Sequence, residues 1–196
     1  MDVEFTVALS AEDDVMELPW SSSEGKVRYY DLKRRPELLL NVQEAFDNEE
    51  LGQFLVATNS AGSMLETVKC DTWLSDKLEE EEQGYGGGWK FASYVDVIFS
   101  DERRLSLAAH EHLANALTKL LRRAPQISAA AELVVRHCYF HAGTEESRQG
   151  FGITLYLTGY GSDEAEARRR WNIGTKLVEN ALLQLSAEFR KEAQRA

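Results

Sequence analysis

The stretch KFASYVDVIFS (90–100), followed by DERRLSLAAHEHLANALTKL (101–120), decides how this chain is read. Residues 90–100 are dense in β-branched and aromatic side chains, as an interior strand is. Neighbours on a strand point to opposite faces. Phe91, Ser93, Val95, Val97 and Phe99 therefore share one face, and Tyr94 and Asp96 share the other. Ser100, Asp101 and Glu102 then supply helix caps. Leu105, Ala109, Leu113, Ala116, Leu117 and Leu120 form a helical stripe, which Pro125 ends. A strand thus hands over to a helix that can cover its apolar face.

The same order recurs on either side. Upstream, MLETVKCDTWL (64–74) predicts the strand that pairs with 90–100. On it Val68, Cys70 and Leu74 share a face, and Lys69, Asp71 and Trp73 share the other. Between the two runs lie LEEEEQ (78–83) and GYGGG (84–88), read as a hairpin connection. Downstream, ELVVRHCYFH (132–141) and GFGITLYLTGY (150–160) predict two more strands. In the second, Phe151, Ile153, Leu155 and Leu157 oppose Thr154, Tyr156, Thr158 and Tyr160. Ser162-Asp163-Glu164 precedes a long helix carrying Trp171, Gly174, Val178, Ala181, Leu182, Leu185 and Phe189 on one side. The first sixty residues fit the pattern too. Residues 3–9 alternate, KVRYYDL (26–32) is strand-like, and Pro36 suits the first position of a helix.

The expectation is an α+β fold: an antiparallel sheet built from three strand-strand-helix units, with helices on one face. One domain over 1–196 suffices, with possible sub-units at 1–60, 61–125 and 126–196. At 43% hydrophobic and 28% charged the chain has ordinary globular composition, and its 196 residues can bury a core unaided.

The formal net charge of −11 argues against nucleic acid or an anionic membrane as the main partner. No apolar run approaches the ~20 residues of a membrane span. Cys70 and Cys138 are too few for a disulfide framework, and the start MDVEFTVALS lacks the charge and apolar run of a secretion signal. A soluble protein in a reducing, cytoplasmic setting is expected.

If the apolar sets pack on the helices, the opposite face presents Lys69, Asp71, Trp73, Tyr94, Asp96, Tyr156 and Tyr160. Clustered aromatics with polar handles suit contact with another molecule. That occupant is a second copy, making a homodimer, cover supplied by the chain's own first unit, or a small-molecule ligand. Strand 132–141 can be phased two ways. Placing Val135, His137, Tyr139 and His141 on the open face leaves Arg136 with the helices, and this phase is taken here.

No motif names a reaction. His110 and His112 point apart on a helix, and His137 and His141 lie roughly 13 Å apart on a strand. Neither pair can share an ion, and no metal or cofactor is expected. GYGGG lacks the spacing and Lys-Ser/Thr of a phosphate loop, and G-x-S-x-G is absent. Arg168, Arg169 and Arg170 are matched by Glu164 and Glu166 one turn earlier. The leading expectation is a binding domain, homodimeric, using the aromatic and charged face. The rival is a small-molecule enzyme with Asp71, Asp96 and His137 as acid/base groups on that face, and Lys69 or Arg136 to orient an anionic substrate.

Overall fold

In the computed structural model, the described residues are 1–21, 24, 25, 28–142 and 146–193. The expected start of strand 26–32, the tip of the 142–149 loop and the last residues of the C-terminal tail lie outside them. Six strands form one sheet: β1 (Asp2–Ala8), β2 (Met16–Leu18), β3 (Leu65–Ser75), β4 (Trp89–Phe99), β5 (Ala129–Ala142) and β6 (Glu146–Gly161). Its order is β1-β5-β6-β4-β3, with β2 also on β5. The sheet is open, with β1 and β2 along one edge and β3 at the other.

The sheet is mixed, which corrects the antiparallel expectation. β3–β4, β4–β6 and β5–β6 are antiparallel, but β1 runs parallel to β5 from Asp2↔Ala130 to Ala8↔Arg136. β2 continues along the same strand, parallel, from Met16↔Cys138. Among the described residues only two strand-strand-helix units form. The described part of KVRYYDL, 28–32, is not a strand; an isolated bridge joins Ser21 to Arg28. Alternation reveals a strand and its faces, but not which distant strand will receive it.

The helices α1 (Gln43–Asp47), α2 (Glu49–Asn59), α3 (Leu107–Leu121) and α4 (Glu164–Ala193) pack on one face. A 3₁₀ turn at Pro36–Asn41 precedes α1. Ser106 caps α3 through its side chain, which accepts from the Ala109 N–H. Between helices and sheet lie Phe91, Val95, Val97, Phe99, Leu133, Val135, Ile153, Leu155 and Leu157, with Leu113, Leu117 and Val178 above them. Trp171 is wholly buried there. Its ring meets Phe91 edge-on at 4.9 Å, and its indole N–H donates to Ser93 Oγ at 2.9 Å, so a buried donor is matched by a hydroxyl. Gly159 lets α4 reach β6: a Cβ there would collide with the Trp171 and Ala167 backbone. The core histidine is His110, buried edge-on to Phe99. His112, which points away from it, is exposed beside Phe189. No helix among the described residues is long and apolar enough to cross a membrane.

Candidate functional site

The ladder register turns the outer sheet face, away from the helices, into rows of side chains that run across the strands. One row reads Glu4–Glu132–Tyr156–Tyr94–Asp71 from β1 to β3. The next, toward the N-terminal end of β4, reads Asp2–Ala130–Thr158–Ala92–Trp73. Beyond it Tyr160 pairs with Lys90. Short side chains at Ala130, Thr158 and Ala92 thus lie between two rows bearing tyrosines. The result is a trough of about 410 Å³, lined by Tyr156, Thr158, Tyr160, Tyr85, Glu132 and Glu4, among others.

The glycine-rich connection builds the trough's end wall. It folds as a 3₁₀ turn, Glu80–Tyr85, stopped by Gly86 in the left-handed region at φ 68°, where glycine carries no steric cost. Tyr85 then stacks flat on Tyr160, centroids 4.3 Å apart. Glu82 holds both neighbours. It accepts from Lys90 Nζ at 2.6 Å and from the Tyr160 hydroxyl at 3.2 Å. Desolvation, the hydrogen bond to Asp2 and the nearby Glu4 and Glu82 carboxylates push the Tyr85 hydroxyl up to about 12. Desolvation and Glu82 raise that of Tyr160 as well.

In the opposite direction the next row is Thr6–Val134–Thr154–Asp96–Lys69. Asp96 is only 8% exposed and accepts from the Thr154 hydroxyl at 2.7 Å. Burial pushes its carboxyl up to about 6, against the opposing pull of Thr154, Lys69 and Arg136. Arg136 lies 3.4 Å from the Tyr156 hydroxyl and 3.4 Å from the Asp14 carbonyl. Lys69 Nζ sits 5.0 Å from the Trp20 ring centre and 5.7 Å from that of Tyr94. Burial, then Asp96 and Asp71, raise the Tyr94 hydroxyl.

Past this row the face is covered. Met16, Val68, Ile98, Cys138 and Phe140 form a second apolar cluster, with Leu18, Trp20 and Leu105 against it. Gly152 leaves room for the Met16 and Ile98 side chains to cross above it. Trp20 donates its indole N–H to the Val68 carbonyl at 2.9 Å.

Two expected placements need correction. A bulge between Thr67 and Lys69 turns Val68 onto the outer face with Ile98, away from Cys70 and Leu74. A bulge adds one residue and reverses the alternation, and nothing in VKCDTW announces it. On β5 the phase is the other one. Arg136 and Cys138 face outward, while His137 lies on the Val135 side, paired with Phe151 and 2.8 Å from Gln149. His137 is therefore not brought together with Asp96. Asp71 is on the outer face but exposed, one row from Asp96.

Of the remaining expected residues, Tyr94 and Tyr156 are half-buried with rings 6.1 Å apart. Tyr160 is 3% exposed. Trp73 is 39% exposed and makes no ring contact among the described residues, so these aromatics are two pairs and a separate tryptophan. Glu132, Glu4, Glu82 and Tyr85 went unnoticed in the sequence. Glu132 would have followed from the correct phase of β5. Tyr85 lies in a loop, where alternation carries no information. Among the described residues no three His, Cys, Asp or Glu stand close enough to hold a metal ion.

Comparison with models of known protein families, with curated proteins and with solved structures finds no match in any of the three.

Proposed function

We propose that the chain works as one binding domain, 1–196, taking a ligand in the uncovered half of its outer sheet face. The observation that carries this reading is the trough. Two short side chains in one row, Ala130 and Thr158, lie between tyrosines and leave a concavity of about 410 Å³, the size of many ligand sites. The half-buried Tyr94 and Tyr156 continue its wall toward Asp96, and Lys69, Asp71 and Trp73 lie along the far edge of the same face. Cys70 and Cys138 are unpaired and point to opposite faces of the sheet, as suits a reducing, cytoplasmic setting.

Catalysis by Asp71, Asp96 and His137 has less support, because the imidazole is on the other side of the sheet from the two carboxylates. The test is a fragment screen by amide chemical-shift mapping on the full chain, using neutral, cationic and anionic fragments. Hits are expected to converge on Tyr156, Thr158 and Tyr160, and Thr158→Trp, which fills the trough, is expected to abolish them. Hits spread over the helical face would overturn the reading. Light scattering after gel filtration decides self-association, the other expected use of this face. A concentration-independent dimer whose interface buries the trough would replace a ligand with a second copy.

A further inference from the structure

We infer that the trough takes an organic cation, an ammonium or guanidinium on an aliphatic arm, set against Tyr156 and Tyr85 and paired with Glu132 and Glu4. This rests on the trough being the binding site, and it names the chemistry of the ligand.

Carboxylates by themselves would mean little in a chain of net charge −11. Here their placement is specific. Glu4 and Glu132 are direct cross-strand partners on the same face, an arrangement of like charges that destabilises a sheet. No ion pair or hydrogen bond among the described residues engages either one. No lysine, arginine or histidine lines the trough, and the adjacent Lys90 is already held by Glu82 at 2.6 Å. The concavity is therefore rimmed by the exposed carboxylates of Asp2, Glu4, Glu81 and Glu132, while the Arg136 guanidinium lies at the Tyr156 hydroxyl, 3.4 Å away.

The walls are an independent observation. Tyr156 lies on one side, and the stacked Tyr85–Tyr160 pair on the other. A cation beside tyrosine rings is attracted by their quadrupoles, more strongly once desolvated. A bare divalent ion fits poorly, because the carboxylates ring the trough without converging. A trimethylammonium or guanidinium group instead fills space between rings and meets carboxylates at the rim. Both a basic side chain of a peptide and a free polyamine carry this chemistry.

The test titrates the full chain with four probes: Nα-acetyl-trimethyllysine amide, Nα-acetyl-arginine amide, spermidine, and Nα-acetyl-norleucine amide as the neutral comparison. The cationic probes are expected to shift Glu132, Tyr156, Thr158 and Tyr160 and to bind at least about ten-fold more tightly than norleucine, a gap that corresponds to about 1.4 kcal/mol. Their affinity should fall as salt rises. Tighter binding of the amino-acid amides than of spermidine assigns the source to a basic side chain, and the reverse order to a free amine.

Glu132→Gln is expected to weaken the cationic probes several-fold while raising the Tm of the unliganded protein, because it relieves repulsion from Glu4. A loss of binding caused by misfolding would lower the Tm instead. His137→Gln, on the opposite face, should leave binding unchanged. Norleucine binding the trough as tightly as the cations would overturn the inference and leave the trough as a site. No probe reaching the trough in a monomeric protein would remove both.

Discussion

The two halves of the outer sheet face use the same strands and the same alternation, yet one is packed and the other is not. At the C-terminal end of β4, Ile98 and Val68 are covered by Met16, Leu18 and Trp20 from the N-terminal segment and by Leu105. At the other end, Ala130 and Thr158 stay partly exposed on the floor of the trough. The difference lies in the first segment, which follows β5 as β1, leaves the sheet after Ala8, and returns as β2. Where it returns it brings a methionine, a leucine and a tryptophan. Beside the trough it brings Asp2 and Glu4. One edge segment therefore supplies apolar cover to one half and carboxylates to the other.

The sharpest way to break this comparison is to delete volume from each half. Ile98 is wholly buried in the covered cluster. Ile98→Ala should cost about 2–5 kcal/mol, the range for large-to-small changes in a packed core. Thr158→Ala in the open half should cost no more than about 0.5–1 kcal/mol, as surface substitutions do. Urea unfolding of both variants measures this directly. Equal losses would mean that the open half is as structurally necessary as the covered half, and that its trough is a packing defect.

Asp96 marks the seam between the halves, and its titration should show which side it belongs to. Its folded pKa of about 6 is raised above the usual carboxylate value. A raised carboxyl pKa favours folding while the group is protonated in both states, so the contribution is full below about pH 4 and is lost as pH climbs through about 6. Above that, ionised Asp96 weakens the fold by an amount on the order of 2 kcal/mol. Asp96→Asn should therefore be more stable than the parent at pH 7.5 and about equal to it at pH 4. A constant difference across that range would place the carboxylate in ordinary contact with water.

How far these features could be read from the sequence follows from what alternation encodes. It reported the face of every residue on β4 and β6, because both strands are interior and regular, and so it put Tyr94, Asp96, Tyr156 and Tyr160 together. It failed on β3, where the bulge at Val68 shifts the phase. It left β5 open to two readings because both of that strand's faces are largely buried: Val134 and Cys138 are as shielded as Val135. A strand buried on both sides loses the polar partner that breaks the tie. The parallel pairing of β1 was invisible for a different reason. Its partner is more than a hundred residues away, and no local propensity records a long-range neighbour. The trough itself needed the register, since Ala130 and Thr158 come from different strands and lie side by side only when the pairing is known.

The smallest effect expected concerns Lys69, a side chain that touches both halves. Its ammonium lies 5.0 Å from the ring of Trp20, which belongs to the covered half, and 5.7 Å from that of Tyr94, which belongs to the open half. It also helps hold Asp96 ionised. Lys69→Met keeps the aliphatic stem and removes the charge. The two ring contacts together should be worth no more than about 0.5–1 kcal/mol at this exposed position. The carboxylate response separates the possibilities more cleanly than stability does. Without the ammonium, the pKa of Asp96 should climb further, because desolvation then acts with one opposing cation fewer, Arg136 alone. If Lys69 instead points into solvent for most of the time, the Asp96 titration followed by NMR would not move, and the Trp20 emission would be the same in both proteins. Arg136, 3.4 Å from the Tyr156 hydroxyl, would then be the cation that links the trough wall to Asp96.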